Sequence, residues 1–246
     1  MLQVSIKGDM TAVKDILAMA KLEERNGSFV FEGEALTARA RLALMALDEE
    51  NVMPESISLA VWAEKDSALF TKNSIAFWNK YGATLFKAFR QPVNDVTLVD
   101  EKWAGIWNLL ALTKDTPTDA ISPLLETMRT CSDALVFGRG FVELTLKGLK
   151  VSEVMMVLDF LTASVKHCET RSVRFGQSEE QENEAFMFRT LCNTIGLSGA
   201  EYSELRKWGL EVLEGNSAWR FGAPSEQPQT QPQTAVKKGR KKNDEQ

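Results

Sequence analysis

Apolar residues alternate with polar ones at Val4 and Ile6 and again at Leu144 and Leu146, and each run ends in Lys-Gly before a helical apolar spacing takes over. Alternation puts one row of side chains on one face of a strand, and steps of three and four put the next row on one face of a helix. The pattern therefore predicts the same strand-turn-helix unit twice, in Leu2–Ala20 and Val142–Leu161. Gly8 and Gly148 suit strand ends that need positive φ, and Thr11 and Ser152 suit helix N-caps. Beyond the caps, Val13, Ile16 and Leu17 correspond to Val154, Val157 and Leu158. A second apolar run, Gly27–Gly33 or Arg171–Gly176, follows each helix and is itself followed by a helical pattern. The expectation is an α+β fold, loosely α/β, with two β-α-β-α halves at about 1–50 and 141–197 related by a pseudo-two-fold rotation. Its small sheet would use Val4, Ile6, Phe29, Phe31, Leu144, Leu146, Val173 and Phe175.

The region between the halves, 51–140, reads as a mainly helical insertion. It opens on a third strand at Ile57, Leu59 and Val61, followed by the longest helix signal of the chain, capped at Asp66 or Ser67 and ended near Arg90 by Pro92. Further helices are predicted over Asp100–Leu112 and from Ser122, with Pro123 at its first position. Phe137–Gly140 is a turn into the second unit. Ser178–Gln181 and Ser198–Glu201 both fit the capping box and start two more helices joined through Gly196 and Leu197. The spacing thus predicts one globular domain over residues 1–214. From Gly215 the composition turns to Pro, Gln, Thr and Ser without an apolar period, which predicts a disordered tail over 215–246, with Trp219 and Phe221 as side chains able to dock back.

Composition narrows the setting. With 246 residues, 44% of them hydrophobic, the chain can bury a sizeable core. It contains no uninterrupted apolar run of membrane-spanning length, and Met1–Ala20 lacks the parts of a signal peptide, so the expected setting is cytoplasmic, with no membrane partner. Cys131, Cys168 and Cys192 have no metal-ligand spacing and read as reduced, largely buried thiols. The net charge of −5 hides an asymmetry: the last ten residues hold Lys237, Lys238, Arg240, Lys241 and Lys242, while the rest of the chain is net −8.

That asymmetry draws attention to the long helix. At about 100° per residue, Lys72, Lys80, Lys87 and Arg90 fall on one side of Thr71–Arg90, with Ile75, Trp78, Tyr81, Leu85 and Phe89 on the other. No Asp or Glu interrupts the stretch from Ser67 to Asn94, and a single-sign stripe on an acidic chain suggests attraction to phosphates. The plainer alternative is that these cations solubilise a core helix or pair with acids of neighbouring elements. The tail cluster is a second anion-attracting element, equally readable as a solubilising end or a nuclear-import signal. Phe188–Arg206 can be laid on a helix-turn-helix template, but Glu201 and Glu204 stand where base-reading residues belong, so an ordinary αα-hairpin is expected.

Catalytic signals are sparse. His167 is the sole histidine, and its neighbour Cys168 would point about 100° away on a helix, so His167 is expected to sit at a helix end and interact with the dipole. No phosphate-binding glycine loop or other cofactor motif is present. The sequence therefore points to a non-enzymatic, nucleic-acid-associated accessory or regulatory protein. In this reading Lys72, Lys80, Lys87, Arg90 and the five tail cations contact phosphates, and no cofactor or metal is needed. The alternative is an assembly or adaptor protein whose basic stripe meets an acidic protein partner. Neither reading fixes an oligomeric state.

Overall fold

Three rows of apolar side chains running across a six-stranded antiparallel sheet organise the fold. The computed structural model describes residues 1–92, 108–121, 134–174 and 183–221. The strands are β1 (Leu2–Lys7), β2 (Glu23–Arg25), β3 (Ser28–Gly33), β4 (Ser56–Trp62), β5 (Leu135–Gly138) and β6 (Phe141–Leu146), in spatial order β2-β3-β1-β4-β6-β5. Register aligns Phe31, Val4, Leu59, Leu144 and Leu135 in one row, Phe29, Ile6, Ile57 and Leu146 in a second, and Leu2, Val61, Val142 and Phe137 in a third. Because side chains alternate along a strand, all three rows lie on one face, and that face joins the hydrophobic core. The opposite face is mostly polar, carrying Gln3, Ser5, Ser58, Thr145 and Glu143, with a cross-strand bond of 2.8 Å between the Ser58 and Thr145 hydroxyls. Trp62 and Phe141 pair at one end of that face, ring centroids 5.1 Å apart.

Among the described residues, six α-helices complete the α+β architecture: α1 (Lys14–Met19), α2 (Ala38–Glu49), α3 (Ala68–Ala88), α4 (Val151–Thr170), α5 (Glu184–Thr194) and α6 (Ser203–Leu210). The middle helix, α4, buries Val154, Val157, Leu158, Leu161 and Val165 and packs between α2 and α3 over β4 and β6. Helices α5 and α6 pack on α3, where Phe160 of α4 stacks on Phe188 of α5 at 6.2 Å and meets Phe89 edge-on at 5.2 Å.

The two predicted units share one sheet, with β1 and β6 flanking β4. They are not related by a half-turn. Both run antiparallel to β4, so they run parallel to each other, and the helices that follow them contact one another on the same face through α2 and α4. A two-fold axis normal to the sheet would reverse one strand, and an axis along β4 would send the helices to opposite faces. The second strand of the second half also fails to form at Val173. Its N–H donates to Asn73 Oδ1 of α3 at 3.2 Å, which holds this segment against a helix instead of the sheet, and Phe175 lies outside the described residues. Conversely, β2 was not anticipated. Asn26 and Gly27 both have positive φ, 51° and 77°, the geometry of a tight two-residue hairpin, so β3 turns back between β2 and β1. Arg139 and Gly140 form another two-residue hairpin, making Leu135–Gly138 a strand where only a turn was expected.

Two of the expected caps, Thr11 and Ser152, are replaced. Ser67 does cap α3, accepting from the Phe70 N–H at 3.2 Å. Thr11 instead donates its N–H to Asp9 at 3.1 Å, and Ser152 lies inside α4. The α4 N-terminus is capped by Asp48 of α2, which accepts from the Val151 N–H at 2.7 Å and the Ser152 N–H at 2.9 Å. A carboxylate taking two orphan donors at the positive end of a helix gains from both the hydrogen bonds and the dipole. Of the expected capping boxes, Ser178–Gln181 lies outside the described residues. The one at Ser198 gives way to a 3-10 turn at Ala200–Tyr202 without a side-chain cap. The helix signals at Asp100 and Ser122 fall largely or wholly outside the described residues.

Asp48→Ala is expected to cost about 1–2 kcal/mol, the upper range for a lost N-cap, because it also removes one of the polar ties between α2 and α4. Urea unfolding measures this, and an unchanged midpoint would show that the cap contributes nothing.

Candidate functional site

Water is excluded from α3 almost all round, and that fact decides where its three lysines and Arg90, just past its end, go. Sixteen of its residues are buried, from Ala68 to Ala88, including polar Thr71, Asn73, Ser74 and Asn79. Lys72 is itself buried, 8% exposed, and its ammonium donates to the Leu110 carbonyl at 3.4 Å. Burial lowers its pKa from the ordinary lysine value. Lys80 is half-buried and lies over the ring of its neighbour Tyr81, 5.2 Å from the centroid.

Lys87 reaches the C-terminal helices. Its ammonium is 2.7 Å from Glu184 of α5 and 3.4 Å from Glu214, and the hydrogen bond to Glu184 leads the causes that raise its pKa. Arg90 has a backbone role as well. It sits just past the helix with φ of 56°, while Gln91 N–H donates to Phe86 O at 2.8 Å and Arg90 N–H to Lys87 O at 2.9 Å. This is the Schellman closure of a helix end, in which glycine usually takes the left-handed position. Here the guanidinium stacks on Trp208 of α6 at 4.1 Å and bonds the Trp208 carbonyl and Glu211, each at 3.1 Å. Gln91 then fastens the end of α3 to β6 by donating to Lys147 O at 3.1 Å and accepting from Lys147 N–H at 3.0 Å. The predicted stripe is thus a set of internal ties: Lys72, Lys87 and Arg90 bond within the chain, and Lys80 is half-covered. The tail cations Lys237, Lys238, Arg240, Lys241 and Lys242 lie outside the described residues.

A cleft of about 180 Å³ opens beside the N-terminus of α3, with Lys65, Lys114 and Lys166 facing Glu64 and Glu169 next to Ser67. Lys65 pairs with Asp115, and the Glu64 N–H donates to Glu169. Sequence reading missed it because its residues come from three separated segments. Its mixture of signs makes it a solvated ionic cluster without a net preference for anions.

The thiols and the imidazole are placed by burial. Desolvation pushes Cys168 and Cys192 up to about 12, so both stay protonated at neutral pH; Cys131 lies outside the described residues. His167 stands near the end of α4, 6.3 Å from the ring of Phe77. Its pKa is lowered, chiefly by desolvation and secondarily by Arg171, so burial outweighs the dipole expected to hold it charged. In the predicted αα-hairpin, Leu191, Cys192, Leu197 and Leu205 are buried while Glu201 and Glu204 face solvent. Trp219 and Phe221 remain exposed, 49% and 74%, although the Trp219 and Arg220 carbonyls accept from Asn183 at 2.6 and 3.3 Å.

The outer face of α2 carries what sequence reading passed over. Leu42 is 69% exposed and Met45 41%, on a helix whose other side buries Ala40, Leu44 and Leu47. Exposed Met19 lies on α1, which packs alongside, and exposed Met53 follows the helix. The helix is firmly held: Arg41 binds both oxygens of Asp159 on α4, one at 3.0 Å, and Asp48 caps α4. The signal was present in the sequence as Leu42 and Met45, which lie off the helically spaced apolar stripe of Leu36, Ala40, Leu44 and Leu47.

No family model, curated protein or solved structure matches this chain. Among the described residues, no helix is long and apolar enough to cross a membrane, and no three His, Cys, Asp or Glu side chains converge as a metal site would require.

At position 90, Arg90→Ala is expected to be less stable than Arg90→Gly by about 1 kcal/mol, since both lose the stacking on Trp208 but only alanine keeps the left-handed strain. Equal midpoints would mean that the backbone there is relaxed. The depressed folded pKa of His167 stabilises the fold above the ordinary histidine value of about 6.5, and that contribution is lost as pH falls below it. Wild type should therefore lose more stability than His167→Gln between about pH 7.5 and pH 5.5 in denaturant titrations.

Proposed function

We propose that this protein works by contact with other protein chains, as an assembly or adaptor component. The reading is carried by the outer face of α2, which keeps Leu42 and Met45 in water on a helix anchored by Arg41 and Asp48. A rigid helix presenting contiguous apolar side chains is a surface built to be covered. The rival reading, a nucleic-acid-associated accessory protein, loses most of its α3 surface because Lys87 and Arg90 already meet Glu184, Glu214 and Glu211. One feature still favours it as the second reading: the five Lys and Arg residues between Lys237 and Lys242.

Retention of the full chain on single- and double-stranded nucleic acid over a salt series separates the two. The protein-contact reading expects elution below about 150 mM salt, with no change on Lys80→Glu. Retention above that point, with a salt slope reduced by about one unit on Lys80→Glu, would establish phosphate contact through α3. Lys80 is the informative position. Lys87→Glu would add a carboxylate beside Glu184 and Glu214 and is expected to destabilise the fold by about 1 kcal/mol, which thermal unfolding can check.

A further inference from the structure

The charges on α2 are arranged against its own dipole. Its first turn holds Arg39 and Arg41 and no acid, while its last turn holds Asp48 and Glu49 and no base. Cations are unfavourable at a helix N-terminus and anions at a C-terminus. Two of these four have local uses, Arg41 on Asp159 and Asp48 on the N-terminus of α4. Arg39 and Glu49 are exposed and have no ion-pair partner among the described residues.

We propose that the outer face of α2 is a homodimer contact in which two copies pack antiparallel across a two-fold axis at the level of Leu44 along the helix, on the side opposite that buried side chain. The inference rests on the protein-contact reading and names its partner. Arg39 and Glu49 stand five residues on either side of Leu44, about 7.5 Å along the axis in each direction. A two-fold axis there brings Arg39 of one copy level with Glu49 of the partner subunit, and the reverse, giving two equivalent ion pairs. Each charge then faces the helix end that favours it, Arg39 the partner's C-terminus and Glu49 the partner's N-terminus. The same operation sets Leu42 against Ala46 of the partner subunit and Met45 against Ala43 of the partner subunit. Large residues meet small ones, as close helix packing needs. A partner with an unrelated charge pattern would not resolve both misplaced charges at once, whereas a second copy does so by symmetry alone. One helix face falls short of the roughly 800 Å² per partner typical of stable complexes, so the dimer is reversible, with a dissociation constant on the order of 10 µM or weaker.

Sedimentation velocity of the full chain from about 1 to 300 µM, bracketing that range, tests this. Wild type is expected to shift reversibly from monomer to dimer, and Leu42→Glu to remain monomeric with unchanged thermal unfolding of the monomer. Arg39→Glu and Glu49→Arg should each weaken association at least tenfold. The double variant should recover it, and so should an equimolar mixture of the two single variants, because the mixed pair restores both contacts. A wild type that stays monomeric throughout overturns the homodimer. So does a dimer indifferent to Leu42→Glu, or a double variant no better than the singles. Loss of a different protein from pull-downs of Leu42→Glu, with wild type monomeric, would overturn the homodimer while leaving the protein-contact reading intact.

Discussion

The exclusion of water from α3 is the constraint on which most of the remaining structure depends. A helix of 21 residues with 16 buried has to satisfy most of its polar side chains from within the chain, since an unpaired buried amide or charge costs several kcal/mol. Thr71 bonds back to the Ser67 carbonyl and Ser74 Oγ has no hydrogen-bond partner among the described residues, but others recruit distant elements. Asn73 donates to the Cys168 and Arg171 carbonyls at 2.8 and 3.0 Å and so closes the end of α4. Gln91 holds β6, Lys87 holds α5, and Arg90 holds α6 through both its charge and its stacking on Trp208. The apolar side chains of α3 make the core, and its polar ones determine how the other helices are arranged around it.

A second coupling joins the other side of the helical layer. Arg41 and Asp48, about two turns apart on α2, both reach α4, the first to a side chain and the second to the helix terminus. With α2 fixed in this way, its exposed face cannot tuck Leu42 and Met45 away by a small rotation. Their exposure follows from how the helix is anchored, which is why it carries functional weight while isolated apolar residues such as Leu109 do not.

Much of the fold was legible in the chain. Alternation at Val4 and Ile6, at Ile57, Leu59 and Val61, and at Leu144 and Leu146 located three central strands, and these lie in register in one sheet. The α2, α3 and α4 apolar stripes predicted their helices, and Ser67 was named among the caps. The errors have physical causes. Similar local grammar does not imply symmetry, because strand direction depends on the chain's return path, and the Asn26-Gly27 hairpin has no counterpart among the described residues after α4. Val173 has strand propensity, but Asn73 offers its N–H a buried partner first. Edge strands β2 and β5 were short and flanked by charges or glycine, leaving too little alternation to read.

The candidate site divides along the same line. Sequence alone determined which residues share a helix face, because that follows from 100° per residue and nothing else. It grouped Lys72, Lys80 and Lys87, with Arg90 falling just past the helix end, and it contained the Arg39, Leu42, Met45 and Glu49 pattern of α2. Whether such a face meets water or another part of the chain was decided only by tertiary structure. Glu184, Glu211 and Glu214 lie about a hundred residues or more beyond α3, and no local pattern connects them to it. Helical periodicity is a property of neighbouring residues, whereas the partner of a charge is set by packing between elements distant in the chain.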